Sequence, residues 1–197
     1  TYLSLGQYPA KHLMDKTSQL GIHTLHLDLH DNISAVAINV TKDSYIIVNR
    51  REVGGRLNFN YAHELFHILT WDALPPKPCE KAYSVAQGKK PIEEKLADAF
   101  AEALLMPKES VLSHVERKNG AINEDFINSL ANSFGVSSSA MKYRLLRLRK
   151  ITQKQYDALD DNLLRFNGDN RQTILPRLYN EDFSKDLHDA LYHGDVS

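Results

Sequence analysis

His63-Glu64-Leu65-Phe66-His67 is the stretch on which the reading of this fold turns. On an α-helix, residues four apart share a face, so both imidazoles can reach one metal ion. The surrounding residues support a helix: Phe59, Ala62, Phe66 and Leu69 recur at helical spacing beside the two histidines. Nitrogen ligands at about 2.0–2.1 Å suit Zn²⁺, and a catalytic zinc usually keeps three protein ligands and a water. Glu64, one position after the first histidine, points elsewhere and is placed to act as general base. An amphipathic helix whose histidines merely fall four apart has the same pattern, so the decision rests on a third ligand.

The segment Glu93-Glu94-Lys95-Leu96-Ala97-Asp98-Ala99-Phe100-Ala101 offers one. Glu94 and Asp98 again lie four apart on one helical face. Glu94 would bind the metal, while Asp98 would accept a hydrogen bond from the distal N–H of a ligand histidine and fix its tautomer. A solvated acidic face around Lys95 is the competing reading. Leu96, Ala97, Ala99, Phe100, Ala103 and Leu104 make this helix hard to expose, which favours the ligand reading. Glu93 is the rival third ligand, about 100° away around the helix, and ranks second.

Taken together, Phe59-Asn60-Tyr61-Ala62-His63-Glu64-Leu65-Phe66-His67 and Glu94-x-x-Ala97-Asp98-x-Phe100-Ala101-x-x-Leu104-Leu105-Met106-Pro107 resemble the ImmA/IrrE family of zinc metallopeptidases over roughly residues 10 to 150. The resemblance implies His63, His67 and Glu94 as zinc ligands and Glu64 as the catalytic base. The spacing from Glu94 to Asp98 is similar to the gluzincin arrangement, with Asp98 supporting a ligand histidine. One departure is Phe66, where the family often has glycine. Family members cleave helix-turn-helix transcriptional repressors, so the resemblance implies such a protein as substrate.

The rest of the chain suits an α+β fold. Pro9 to Gly21 reads as a short helix. Leu25, Leu27 and Leu29 then alternate with His26, Asp28 and His30 as in a half-buried strand. Ile33 to Val40 and Tyr45 to Asn49, separated by Thr41-Lys42-Asp43-Ser44, suit an antiparallel hairpin. The expected architecture is therefore a zincin-like domain with a small antiparallel sheet packed on the helix bearing the two histidines. Asp72 to Pro91, rich in proline and lysine, reads as a long loop of the lid or binding type. Pro91 opens the Glu94 helix, which runs to Leu105 before Pro107.

Toward the C-terminus, Asn123 is expected to cap a helix through Phe134. Gly135 breaks the chain, Ser137 caps a second helix to about Lys150, and Thr152 caps a third to about Phe166. This divides the chain into a metallopeptidase domain at 1–120, a helical, helix-turn-helix-like subdomain at 121–167 and a polar tail at 168–197. Lys142, Arg144, Arg147, Arg149 and Lys150 would serve as phosphate contacts if residues 130–150 bound DNA. A packed or repressor-binding helical segment is the preferred reading.

Composition narrows the function classes. The 197 residues are 42% hydrophobic and 25% charged, as in an ordinary globular chain. The 24 basic and 25 acidic side chains nearly cancel, which argues against a strongly basic nucleic-acid coat protein. One cysteine, Cys79, excludes an intrachain disulfide framework and cysteine-rich zinc fingers. No apolar run approaches the roughly 18–20 residues a membrane span needs, and no secretory pattern opens the sequence. The expected compartment is the cytoplasm. The chain opens on Thr1, which leaves room for sequence before it.

Peptide hydrolysis also needs a donor for the developing oxyanion. Tyr61, Tyr83 and His114 are the candidates, each with packing or surface placement as the ordinary alternative. His26 and His30, with Asp28 between them, suit a solvent-facing strand better than an edge metal site. The expected function is a zinc endopeptidase acting on a repressor. The rival is a catalytically weak regulator that binds DNA or a partner, as in a toxin–antitoxin or phage-type system. An intact Glu64 favours the enzyme, since a binding module has no need of a general base.

Overall fold

The computed structural model describes residues 3–30, 32–40, 43–76 and 90–164, together with 185 and 188. Most of the expected 72–91 loop, and nearly all of the tail from 168 onward, lie outside them.

A 3-10 turn at Pro9–Lys11 leads into α1, Leu13–Ser18. Three strands follow: β1 at Ile22–Leu27, β2 at Ala35–Val40 and β3 at Asp43–Asn49. The β2–β3 pair is the expected antiparallel hairpin, with Ala35 opposite Val48. The sheet as a whole is not antiparallel. Its order is β1-β3-β2, and β1 runs parallel to β3 with Ile22 opposite Ser44. The chain reverses twice between β1 and β3, so making the first and third strands neighbours fixes them as parallel. Asn49 at the end of β3 supports that crossing. Its buried side chain donates to the Leu29 and Ile33 carbonyls at 3.4 and 3.1 Å, holding the β1–β2 connection across the strand end. Ile46 and Val48 of the central strand are fully buried.

Helix α2, Gly54–Thr70, packs on β2 and β3 and buries Leu57, Tyr61, Ala62 and Leu65. The paired glycines Gly54 and Gly55 form its first turn. Gly55 is required there because a Cβ would lie 2.5 Å from the Val136 carbonyl carbon and 2.7 Å from the Ser137 nitrogen. Helix α3, Ile92–Leu105, runs against α2 and has Pro91 as its N-cap. Pro107 ends α3 and immediately caps α4, Lys108–Arg117, a helix the periodicity leaves unread.

The capping signals farther along are used. Helix α5 spans Glu124–Phe134, with Asn123 Oδ1 accepting the Phe126 N–H and Gly135 left-handed at φ +63°. Helix α6 spans Ser138–Arg147, with Ser137 accepting from the Ala140 N–H, and ends earlier than expected. Thr152 and Gln155 form a capping box on α7, Gln153–Ala158. The helix expected to reach Phe166 is split there, because Lys142 Nζ bonds the Leu159 carbonyl and Asp160 caps a short α8, Asp161–Leu164.

One apolar core runs through all of this, from Leu13, Ile46 and Leu65 to Leu105, Phe134, Met141 and Leu164. The fold is α+β and zincin-like, with a mixed sheet. No helix among the described residues is long and apolar enough to cross a membrane.

Candidate metal centre

Two helices build the site. Leu57, Tyr61 and Leu65 anchor α2 in the core, which turns His63 and His67 toward α3. Ala97, Ala101 and Leu105 anchor α3, which returns Glu94 and Asp98 toward α2. The small side chains of Ala97 and Ala101 let the two helices approach closely.

The donor atoms converge. His63 Nε2 and His67 Nε2 are 3.3 Å apart, His63 Nε2 is 3.2 Å from Glu94 Oε2, and His67 Nε2 is 3.2 Å from Glu94 Oε1. Among the described residues, His63, His67 and Glu94 are the group that brings three ligand atoms within 4.8 Å of one another. Atoms about 2.05 Å from a common centre in a tetrahedral array stand about 3.3 Å apart, so these spacings fit a zinc-sized ion. The donor set, two imidazoles and a carboxylate, fits zinc by chemistry as well. Glu93 is buried and does not belong to this group, in which Glu94 is the carboxylate that could serve as third donor.

Asp98 Oδ1 accepts from His63 Nδ1 at 3.0 Å, and Asp98 Oδ2 accepts from Lys90 Nζ. Burial alone would lower the His63 pKa. Its hydrogen bonds to Asp98 and Glu94 outweigh this and raise it to about 9. The same bonds from His63 and His67 hold Glu94 well below the usual carboxylate range, against its desolvation. Desolvation opposes the ionised form of Asp98, yet the bonds from His63 and Lys90 keep its pKa low. Glu64, half-buried between α2 and β2, is pushed up by desolvation, which the two histidines and a backbone hydrogen bond from Ala37 only partly offset. His67 Nδ1 is buried and finds no hydrogen-bond partner among the described residues.

The donor candidates fare differently. Tyr61 is fully buried, and its hydroxyl bonds Thr17 Oγ1 at 2.5 Å and Thr24 Oγ1 at 3.2 Å. It ties α2 to α1 and β1, which is the packed placement weighed against the oxyanion-donor role. His114 bonds the Tyr8 hydroxyl at 2.9 Å and the Ser110 carbonyl at 2.8 Å, with Phe134 edge-on to its ring. It belongs to that aromatic cluster. Tyr83 lies outside the described residues. Just past the end of β1, Asp28 is taken up by Arg50 and Arg51. That leaves nothing of an edge metal site with His26 and His30.

The cations of α6 are also committed. Lys142 is buried against Asp161, while Arg144 and Arg147 both bind Glu102 of α3. Of the five candidate phosphate contacts, Lys142 and Arg144 are therefore turned into the fold, while Arg147 stays exposed but paired with Glu102. Sequence reasoning missed Lys90 and the Ala37 backbone N–H. Lys90 stands among several lysines, and nothing in its neighbours marks it out; a backbone donor has no residue signature.

A zincin-like fold carrying a His-His-Glu donor set on two adjacent helices defines a metallopeptidase-type protein. The chain belongs to the IrrE N-terminal-like domain family, Peptidase_M78, whose family model matches residues 17–146. Comparison with curated proteins gives no match.

Proposed function

We propose that this chain is a zinc-dependent endopeptidase of the cytoplasm that cleaves a helix-turn-helix transcriptional repressor or a related regulator, and so relieves repression. The observation that carries the reading is the convergence of His63 Nε2, His67 Nε2 and the Glu94 carboxylate, with contacts of 3.2–3.3 Å and one ligand atom from each within 4.8 Å of the others, a cluster into which a zinc ion fits. Family membership supports peptide hydrolysis, and the family resemblance supports a repressor as substrate.

Zinc held by these three residues would supply Lewis-acid polarisation of a peptide carbonyl and lower the pKa of water to about 7. The remaining work falls to side chains. Glu64 leaves α2 about 100° from His63, beside the ligand set, where it takes a proton from the attacking water and delivers it to the leaving amine. Asp98 holds His63 in the tautomer whose Nε2 lone pair is free to bind. Glu94 contributes negative charge that offsets the cation. The inward placement of Lys142 and Arg144, with Arg147 paired to Glu102, weighs against the DNA-binding alternative.

The test is incubation of the zinc-loaded protein with the repressor encoded beside its gene. Cleavage that stops with chelator and returns with zinc supports the reading; an intact repressor under zinc-replete conditions counts against it.

A further inference from the structure

Lys90 reaches Asp98 in an unusual way. The two are eight residues apart, and on a continuous helix that separation is about 12 Å along the axis, too far for an ion pair. Pro91 makes the contact available. It is extended at ψ 157° and caps α3, and a proline disfavours helical backbone in the residue before it. The chain therefore leaves the helix axis at Lys90, and the long side chain reaches back across the first turns of α3.

The consequence lies at His63. A carboxylate that accepts one hydrogen bond can pivot about it, because an aspartate has two free side-chain torsions. Asp98 has both oxygens engaged, Oδ1 by His63 Nδ1 and Oδ2 by Lys90 Nζ. Two donors on opposite oxygens fix both torsions. Asp98 and Lys90 are each partly open to solvent, at 39% and 46% side-chain exposure, so an unsupported carboxylate would readily turn to water. We infer that Lys90 is a positioning residue for the metal site, locking the Asp98 carboxylate that orients the His63 ring. This rests on the reading of His63, His67 and Glu94 as zinc ligands.

The role has an opposite electronic expectation, which makes it testable. A cation on Asp98 draws charge from the carboxylate and makes it a weaker acceptor for His63. If that effect governed, removing Lys90 would tighten metal binding; if positioning governs, removal weakens it.

The experiment measures zinc dissociation constants of the full chain, stripped and reloaded, by competition with a chromophoric chelator. Asp98→Asn should bind zinc roughly 10–100-fold more weakly. Lys90→Met should lose roughly 3–10-fold, less than loss of the histidine's own partner. Lys90→Arg should restore wild-type affinity. In the Asp98→Asn background, Lys90→Met should change nothing further. Unchanged or tighter binding by Lys90→Met overturns the inference, as does an equal loss in both backgrounds, which marks a general charge effect. A wild-type chain that takes no zinc, or an Asp98→Asn chain that binds like wild type, instead brings down the site reading on which the inference stands.

Discussion

Arg144 of α6 donates from Nη1 to Glu102 Oε1 of α3 at 3.0 Å, and its Nε donates to the Met106 carbonyl at 3.0 Å. Arg147 takes the other Glu102 oxygen at 2.6 Å. Glu102 is buried two turns beyond Glu94 on the same helix, so this clamp sets how α3 lies against the C-terminal helices. Removing one member of a buried ion pair leaves its partners uncompensated, which costs roughly 3 kcal/mol. Glu102→Ala is expected to lower unfolding free energy by about that amount in denaturant titration, with weaker zinc retention. A variant as stable as wild type would show that solvent screens both guanidinium groups.

Glu64→Gln keeps the size of the side chain and removes its capacity to take a proton. The variant is expected to hold zinc at wild-type stoichiometry, measured by elemental analysis, while the cleavage rate falls by roughly 10²–10⁴-fold. Retention of cleavage would assign the base elsewhere.

Glu94 and Glu93 are adjacent, and only Glu94 faces both imidazoles. Glu94→Ala is expected to weaken zinc binding by more than tenfold in chelator competition, and Glu93→Ala by much less. The reverse order would transfer the third donor to the buried neighbour.

Acid stability should record Asp28. The bidentate bond from Arg50, joined by one from Arg51, pushes its carboxyl down from 3.8 to about 2. A carboxyl with a depressed folded-state pKa contributes stability that is present above its unfolded value and is lost as pH falls through the folded one. The contribution should therefore fade between pH 3.8 and about 2. Asp28→Asn should flatten the stability profile across that window in pH-dependent unfolding. A profile identical to wild type would mean the two arginines give Asp28 no net support.

What the residues disclosed depended on how local the signal was. His63 with His67, and Glu94 with Asp98, are each one helical turn apart, so helix geometry alone orients each pair. Asn123, Ser137 and Thr152 cap their own helices and were legible for the same reason. Longer-range placement was not legible. The order of three strands depends on which one sits in the middle, and strand periodicity is the same either way. The basic residues of α6 read as a surface because their partners, Glu102 and Asp161, are distant in sequence. Tyr61 was one candidate donor beside the metal motif with packing as the alternative, and the bonds of its hydroxyl to Thr17 and Thr24, 44 and 37 residues away in sequence, could not be read from its neighbours.

The missing side chain at Gly55 ties two halves of the molecule together. The helix that carries both imidazoles begins in van der Waals contact with the backbone turn between α5 and α6, and Asn58 clasps the Gly135 carbonyl one turn later. The C-terminal helices thus act as the abutment for the helix that carries His63 and His67. Any protein that gripped those helices and shifted that turn would press on the root of the imidazole-bearing helix, without touching the His63, His67 and Glu94 cluster.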